Sequence, residues 1–381
     1  MDRAPTLTDG VVTLRPHRLE DAEGCYEECQ DPLSRQWTTV PVPYTRDMAV
    51  HWVTEVMPAG WADGSTWGFA VEVDERYAGT VELRDEGEGR AEVAFGSHPW
   101  VRGTGAVERA VRLLLEWGFS HQGLRVVVWR ANAGNWASRK LAWRLGFSFD
   151  GTVRHSLPQR GELRDGWVGT LLDTDDRGPS TPWLEVPVLE ADGLRLRPWR
   201  ESDVRRIVEA CSDERTKRWL GRMPDPYTEV DARAWLDHQQ EERARGRALH
   251  WAVVAGSDDD RALASVSAFD LVPELELEIG YWAHPDARGR GVTTRAMALV
   301  VRHAFEVLGV RRVTAGAAVD NAASRRVIEA NGLRAWGTER AGTVVLDGRA
   351  DIVWYDVLVE EWRAPRAAPA GFRPGPSPWH N

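Results

Sequence analysis

His284-Pro285-Asp286-Ala287-Arg288-Gly289-Arg290-Gly291 lies between a strand pattern and a helix pattern. Before it, Leu275, Leu277 and Ile279 alternate with Glu276 and Glu278, the period of a half-buried strand. After it, Ala296, Leu299, Val300, His303, Ala304 and Val307 mark one face of a long helix. The first turn of a helix leaves backbone N–H groups without partners, and the helix dipole adds positive character there. Glycines let such a turn approach an anion without Cβ obstruction, so it suits phosphate oxygens. The turn matches neither the dinucleotide pattern GxGxxG nor the Walker A loop, which removes nicotinamide and nucleoside triphosphate readings.

The same stretch occurs twice. His98-Pro99 answers His284-Pro285, and Arg102-Gly103-Thr104-Gly105 answers Arg288-Gly289-Arg290-Gly291, both at an offset of 186. Phe119/Phe305, Arg125/Arg311, Asn135-Trp136-Ala137-Ser138/Asn321-Ala322-Ala323-Ser324 and Gly146-Phe147/Gly332-Leu333 keep that offset. Nearer the start of each copy it slips to 182, where Leu14-Arg15-Pro16 answers Leu196-Arg197-Pro198 and Trp37 answers Trp219. Loop-length changes produce such a slip. The chain is therefore an internal duplication. Each copy reads as strand, two helices, a three-strand antiparallel run, helix, strand, helix and two strands. The copies are expected over 7–172 and 189–362, joined by a Pro-rich acidic linker over 173–188 in which Trp183, Leu184 and Val186 can anchor. Gly256 to Asp260 reads as a hairpin turn. Residues 363–381, with five prolines among Ala and Gly, are expected to be disordered.

The 381 residues suffice for two such domains. Lys and Arg number 48 against 58 Asp and Glu, a formal net charge of −10, which argues against a general nucleic-acid binder. Cys25, Cys29 and Cys211 show no CxxC spacing, and no His or further Cys completes a metal set, so no metal is expected. The N-terminus lacks a signal pattern and no apolar run reaches membrane-spanning length, so a cytoplasmic location and no membrane partner are expected. Twenty tryptophans, mostly in apolar or helical spacing, point first to core packing.

Strand, H-P-x-x-R-G-x-G, helix, strand, N-x-A-S, helix and G-[F/L], taken together and found twice, resemble the GCN5-related N-acetyltransferase (GNAT) superfamily, in its RimJ/RimL-like branch. The resemblance implies an α/β fold in tandem, each copy a central mixed β-sheet flanked by helices. It implies an acyltransferase that moves an acetyl group from acetyl-CoA to a primary amine, of a small molecule or a peptide or protein N-terminus, by direct attack in a ternary complex. Longer-chain acyl transfer to a peptide amine, and a CoA-binding domain without catalysis, are the alternatives.

Carried onto this chain, the resemblance places the pyrophosphate on the amides of Arg102, Gly103, Thr104, Gly105, Ala106 and Val107, and of Arg288, Gly289, Arg290, Gly291, Val292 and Thr293. Arg288 and Arg290 are candidates for added charge-assisted contacts. The pantetheine arm falls to Phe95, Gly96, Ser97 and His98 and to Tyr281, Trp282, Ala283 and His284, where strands are expected to splay. Asn135 and Asn321 would touch the arm, or cap a helix. Ser138 and Ser324 would protonate the departing thiolate; the tyrosine more usual further along that helix is missing, with Trp143 and Glu329 in its stretch. Glu92 and Glu278 are the expected bases, with Asp270 a weaker candidate. The loops Trp37–Tyr44 and Trp219–Tyr227 would wall the acceptor, through Trp37, Tyr44, Trp219 and Tyr227. The second copy looks the more complete.

Overall fold

The computed structural model describes residues 4–256 and 260–363. The expected turn at 256–260 lies mostly, and the Pro-rich tail from Ala364 wholly, outside the described residues. The chain divides into two compact units, Met1–Ser180 and Thr181–Asn381.

The first unit begins with β1 (Leu7–Thr8) and β2 (Thr13–Arg15), then α1 (Ala22–Gln30), α2 (Pro32–Trp37) and α3 (Arg46–His51). A π-helical turn, Trp52–Val56, joins α3 to α4 (Met57–Asp63). There follow β3 (Thr66–Val73), β4 (Arg76–Gly87), β5 (Arg90–Ser97), α5 (Ala106–His121), β6 (Val126–Asn132), α6 (Trp136–Arg144), β7 (Gly151–Gln159) and β8 (Glu162–Leu172). The second unit repeats this with β9 (Leu189–Ala191), β10 (Leu194–Pro198), α7 (Val204–Cys211), α8 (Glu214–Trp219) and α9 (Glu229–Ala244). It continues through β11 (Leu249–Ala255), β12 (Ala264–Val272), β13 (Glu276–Ala283), α10 (Val292–Glu306), β14 (Arg312–Ala318) and α11 (Ala322–Ala330). It closes on β15 (Arg334–Val345), β16 (Gly348–Leu358) and α12 (Val359–Arg363).

Each unit folds round one eight-stranded sheet, ordered β1-β2-β3-β4-β5-β6-β8-β7 and β9-β10-β11-β12-β13-β14-β16-β15 from edge to edge. Every pairing is antiparallel except β5 with β6 and β13 with β14, so both sheets are mixed, as expected. In the first unit α5 presents Ala110, Val111, Leu114, Leu115 and Trp117, at helical spacing, to the sheet face carrying Phe69, Val81, Leu83 and Val93. Each buried Leu or Val contributes about 1.5–3 kcal/mol. In the second unit Ala296, Met297, Val300 and Ala304 of α10 pack the same way on Val266, Leu277 and Ile279. The opposite sheet face is covered by the helices nearer the start of each unit, which hold smaller clusters around Cys25, Ala49 and Val53 and around Ile207, Cys211 and Ala232.

Three helical segments, not two, precede the sheet run in each unit. Asp31 and Asp213 restart the chain as helix because their carboxylates accept hydrogen bonds from Ser34 N and Thr216 N, both at 3.0 Å. The twin Leu-Arg-Pro motifs also have a structural cause. Arg15 and Arg197 are buried, and each makes a two-pronged pair with an aspartate six residues on: Asp21 at 2.8 Å, and Asp203 at 2.8 and 2.9 Å. In the stretch 173–188, Trp183 and Leu184 are buried; Leu184 N donates to Arg243 O at 3.0 Å, and Trp251 Nε1 to Pro187 O at 2.8 Å. Residues 183–187 are thereby fixed to the second unit, while those up to Ser180 belong to the first.

Candidate active site

The parallel pair in each sheet opens as it runs. β13 and β14 are paired from Glu276/Arg312 to Glu278/Thr314, yet β13 extends to Ala283 and β14 to Ala318. β5 and β6 pair from Arg90/Val126 to Val93/Trp129 and extend to Ser97 and Asn132. A wedge of unpaired strand edge is left in each unit, bordered by Phe95 to His98 in one and Tyr281 to His284 in the other. His98 and His284 stand at the end of that border: both are buried, and their Nε2 atoms face Glu27 at 3.1 Å and Glu209 at 3.4 Å.

Beyond the wedge comes the glycine turn. Gly103, Gly105, Gly289 and Gly291 all have positive φ, between +68° and +84°, which glycine alone adopts without strain. A Cβ built at any of the four meets nothing within 4 Å, so the space over the loop is open. Gly105 and Gly291 are the residues before α5 and α10 and, lacking side chains, cap neither helix. The first-turn N–H groups of α10 therefore face that open space as an anion cradle, which fits a pyrophosphate. In the first unit the Thr104 hydroxyl accepts from Ala106 N at 3.3 Å and donates to Val101 O at 2.7 Å, taking up one of these groups. The Arg288 guanidinium is bound to Asp213 and the Thr216 hydroxyl, and that of Arg102 to Asp31 at 2.8 Å and Ser34 Oγ at 3.0 Å. These arginines brace the loop against the neighbouring helix, Arg288 through its Nη2. Arg290 is exposed.

The carboxylates differ between the units. Glu278 stands on β13 opposite Thr314 and Phe269 and makes no ion pair among the described residues. Burial, reinforced by the nearby charge of Asp270, pushes its carboxyl up to about 7. Glu92 is instead paired with Arg130 at 3.0 Å, and Arg130 also holds Glu86. The position of Arg130 is Gly316 in the second unit, where a Cβ would lie 2.6 Å from Ile352 and 2.9 Å from Trp354. Packing thus keeps any side chain, and so any counter-charge, away from Glu278 at that point.

The serines differ too. Asn135 and Asn321 cap α6 and α11, accepting from Ser138 N at 3.2 Å and Ser324 N at 3.1 Å. Ser138 is buried and its Oγ accepts from Trp129 Nε1 at 2.9 Å. Ser324 is half-buried, and its Oγ lies 2.9 Å from the Tyr281 phenol, which also reaches Ser324 O at 3.0 Å. Burial holds the Tyr281 proton well above the usual tyrosine range. A phenol is present at this serine after all, delivered from the strand and not from the helix. The first unit has Phe95 there.

The four aromatic loop residues do not converge. Trp37 is half-buried, its ring 3.5 Å from a Cβ built at Gly134, just ahead of Asn135. Trp219 is half-buried beneath Arg218. The Tyr44 hydroxyl turns to Cys25 Sγ at 3.8 Å, and Tyr227 is buried in the cluster of Cys211. These two rings brace the helical layer and do not form an open wall. An aromatic surface does exist at the wedge of the second unit, where Trp282 is joined by two tryptophans from outside the loops. Trp282 lies 5.5 Å from Trp199 and 6.4 Å from Trp235, centroid to centroid.

A family model described as the acetyltransferase (GNAT) domain matches residues 12–148 and 193–334. "Probable N-acetyltransferase YjcK" of Bacillus subtilis (strain 168) is 33% identical over 174 residues, 44% of this chain and 93% of that protein. "Putative ribosomal N-acetyltransferase YdaF" of the same organism is 40% identical over 85 residues, 22% of this chain and 46% of that protein. Among solved structures, Mycobacterium smegmatis RimJ in complex with CoA-disulfide is 20% identical, with a TM-score of 0.43, covering 49% of this chain and 93% of that one.

Proposed function

The chain belongs to the acetyltransferase (GNAT) domain family in both halves, an acyltransferase family that uses acetyl-CoA, and from that premise we propose that the second half transfers the acetyl group to a primary amine by direct attack in a ternary complex. The observation that carries the reading is the pairing of two unlike proton carriers beside one wedge: an ion-pair-free carboxylate, Glu278, and the Tyr281–Ser324 hydroxyl pair. Acetyl-CoA supplies an activated acyl carbonyl. The amides from Arg288 to Thr293 hold its pyrophosphate, and the strand edge from Tyr281 to His284 aligns the pantetheine arm as an added strand would lie. Arg102 to Val107 and Phe95 to His98 serve the first half in the same way.

Glu278 takes the proton of the acceptor ammonium, freeing the nitrogen lone pair; a proton affinity near neutral suits that task at physiological pH. Tyr281, with its proton held by burial and its oxygen hydrogen-bonded to Ser324, is the donor on the leaving-group side. The Trp199–Trp235–Trp282 surface favours an acceptor with an apolar group next to its amine, such as a peptide N-terminus. The "ribosomal" description of YdaF is in keeping with a protein N-terminal acceptor.

Thiol release from acetyl-CoA with a panel of small amines and free-N-terminus peptides tests this. Turnover that falls in Glu278→Gln and favours peptides with a bulky apolar first residue is expected. CoA binding without turnover on any amine would replace the enzyme reading with a CoA-binding module.

A further inference from the structure

In the first half, the expected base Glu92 is held by Arg130, but a second carboxylate reaches the same sheet face. Glu92 and Gly96 lie four residues apart on β5 and so share a face, the one covered by α1. A Cβ built at Gly96 would fall 2.3 Å from Glu28 Oε1 of α1, so the carboxyl occupies the side-chain space of that wedge residue. The duplication supplies its own control. At an offset of 182, Glu28 corresponds to Ala210; at 186, Gly96 corresponds to Trp282. Where the helix gives a small residue the strand gives an indole, and where the strand gives glycine the helix gives a carboxyl.

Resting on the reading that each half is an acyl-transfer site, we propose that Glu28 is the catalytic base of the first half, taking from the acceptor ammonium the proton that Glu278 takes in the second. The nitrogen–hydrogen bond breaks, its electron pair stays on nitrogen, and the proton passes to a Glu28 carboxylate oxygen, leaving a neutral amine and a carboxylic acid that returns the proton to water.

The surroundings suit the role. The Tyr77 hydroxyl donates to Glu28 Oε2 at 3.1 Å and lies 3.1 Å from Thr80 Oγ1; Thr80 stands opposite Gly96 as Ser265 stands opposite Trp282, and by that register the second unit has Ala262 in place of Tyr77. Cys25 and Cys29 flank Glu28 on its own helix, Asp31 and Arg102 face it as a pair, and Glu27 with His98 stands beside it. Burial outweighs the Tyr77 hydrogen bond and the Arg102 charge and pushes the carboxyl up to about 7.

A titration of the full chain without cofactor, followed by the side-chain carboxyl carbons of glutamate, reads this directly. Two carboxyls, Glu278 and Glu28, should titrate near pH 7; the one lost in Glu28→Gln should move to higher pH in Tyr77→Phe, which removes the bond to its ionised form, and the absence of such a tyrosine-sensitive carboxyl above pH 6 would overturn the proposal. The second arm measures turnover by the first half in a Gly291→Glu, Glu278→Gln background. Glu28→Gln should lower kcat about 100-fold and remove the acidic limb of the pH profile, with Glu28→Asp restoring part of both. Turnover and profile unchanged in Glu28→Gln would overturn this assignment alone. A first half that binds CoA but acts on no amine, with Glu28 intact, would overturn the transferase reading of that half along with it.

Discussion

Replacing Glu278 by glutamine should make the second half slower and, at high pH, more stable. The ordinary glutamate value of 4.5 rises to about 7 through burial and Asp270. Native Glu278 therefore holds its proton to higher pH than the unfolded chain does. Between pH 4.5 and 7 the native state binds more protons, so this group's contribution to stability falls as pH rises through that window. At about 1.4 kcal/mol per pH unit the full effect is about 3 kcal/mol, and partial exposure of the carboxyl screens it toward about 1 kcal/mol. Glutamine keeps the shape and cannot ionise. Urea unfolding should show Glu278→Gln level with the parent near pH 4.5 and about 1–3 kcal/mol more stable at pH 8. On a preferred amine, kcat should drop about 10²-fold or more and the limb near pH 7 should vanish. A variant less stable than the parent at pH 8, or one retaining the limb, would refute the view of Glu278 as a desolvated base.

Two further outcomes follow from the same geometry. Tyr281→Phe leaves the ring and removes the hydroxyl from Ser324, so kcat should fall about 100-fold while CoA affinity holds; equal turnover would remove the phenol from the proton path. Arg197→Ala strips the partner from buried Asp203 and should cost the second unit about 3–5 kcal/mol, read as a lower urea midpoint; a loss below about 1 kcal/mol would show that water reaches the aspartate.

Most of the architecture was legible because it rests on short-range patterns written twice. The alternation through Glu276 to Ala283, the turn at Gly289 and Gly291, and the apolar face of α10 each follow from one local rule. Repetition at one offset separates them from chance. The side-chain partners were not legible, since they join segments far apart in the chain. Arg130 tying Glu92, and Gly316 sparing Glu278, depend on which residue of β6 or β14 faces a given residue of the neighbouring strand. Tyr281 reaches Ser324 across the wedge from another element, so a search along the helix for a tyrosine missed it. Asp31 and Asp213 as helix starts were readable from the Asp-Pro-x-Ser and Asp-Glu-x-Thr spacing, as was the exchange of Glu28 and Gly96 for Ala210 and Trp282 once both offsets are applied.

If one chain carries two acyl-CoA sites of unequal chemistry, the binding stoichiometry of CoA will show it. Titration calorimetry should give two CoA per chain for the parent. It should give one each for Gly105→Glu and Gly291→Glu, where a carboxylate and a strained backbone replace the open cradle. The site left in Gly105→Glu should be the one whose turnover depends on Glu278. A stoichiometry of one in the parent, or two in either variant, would rule out one CoA site in each half.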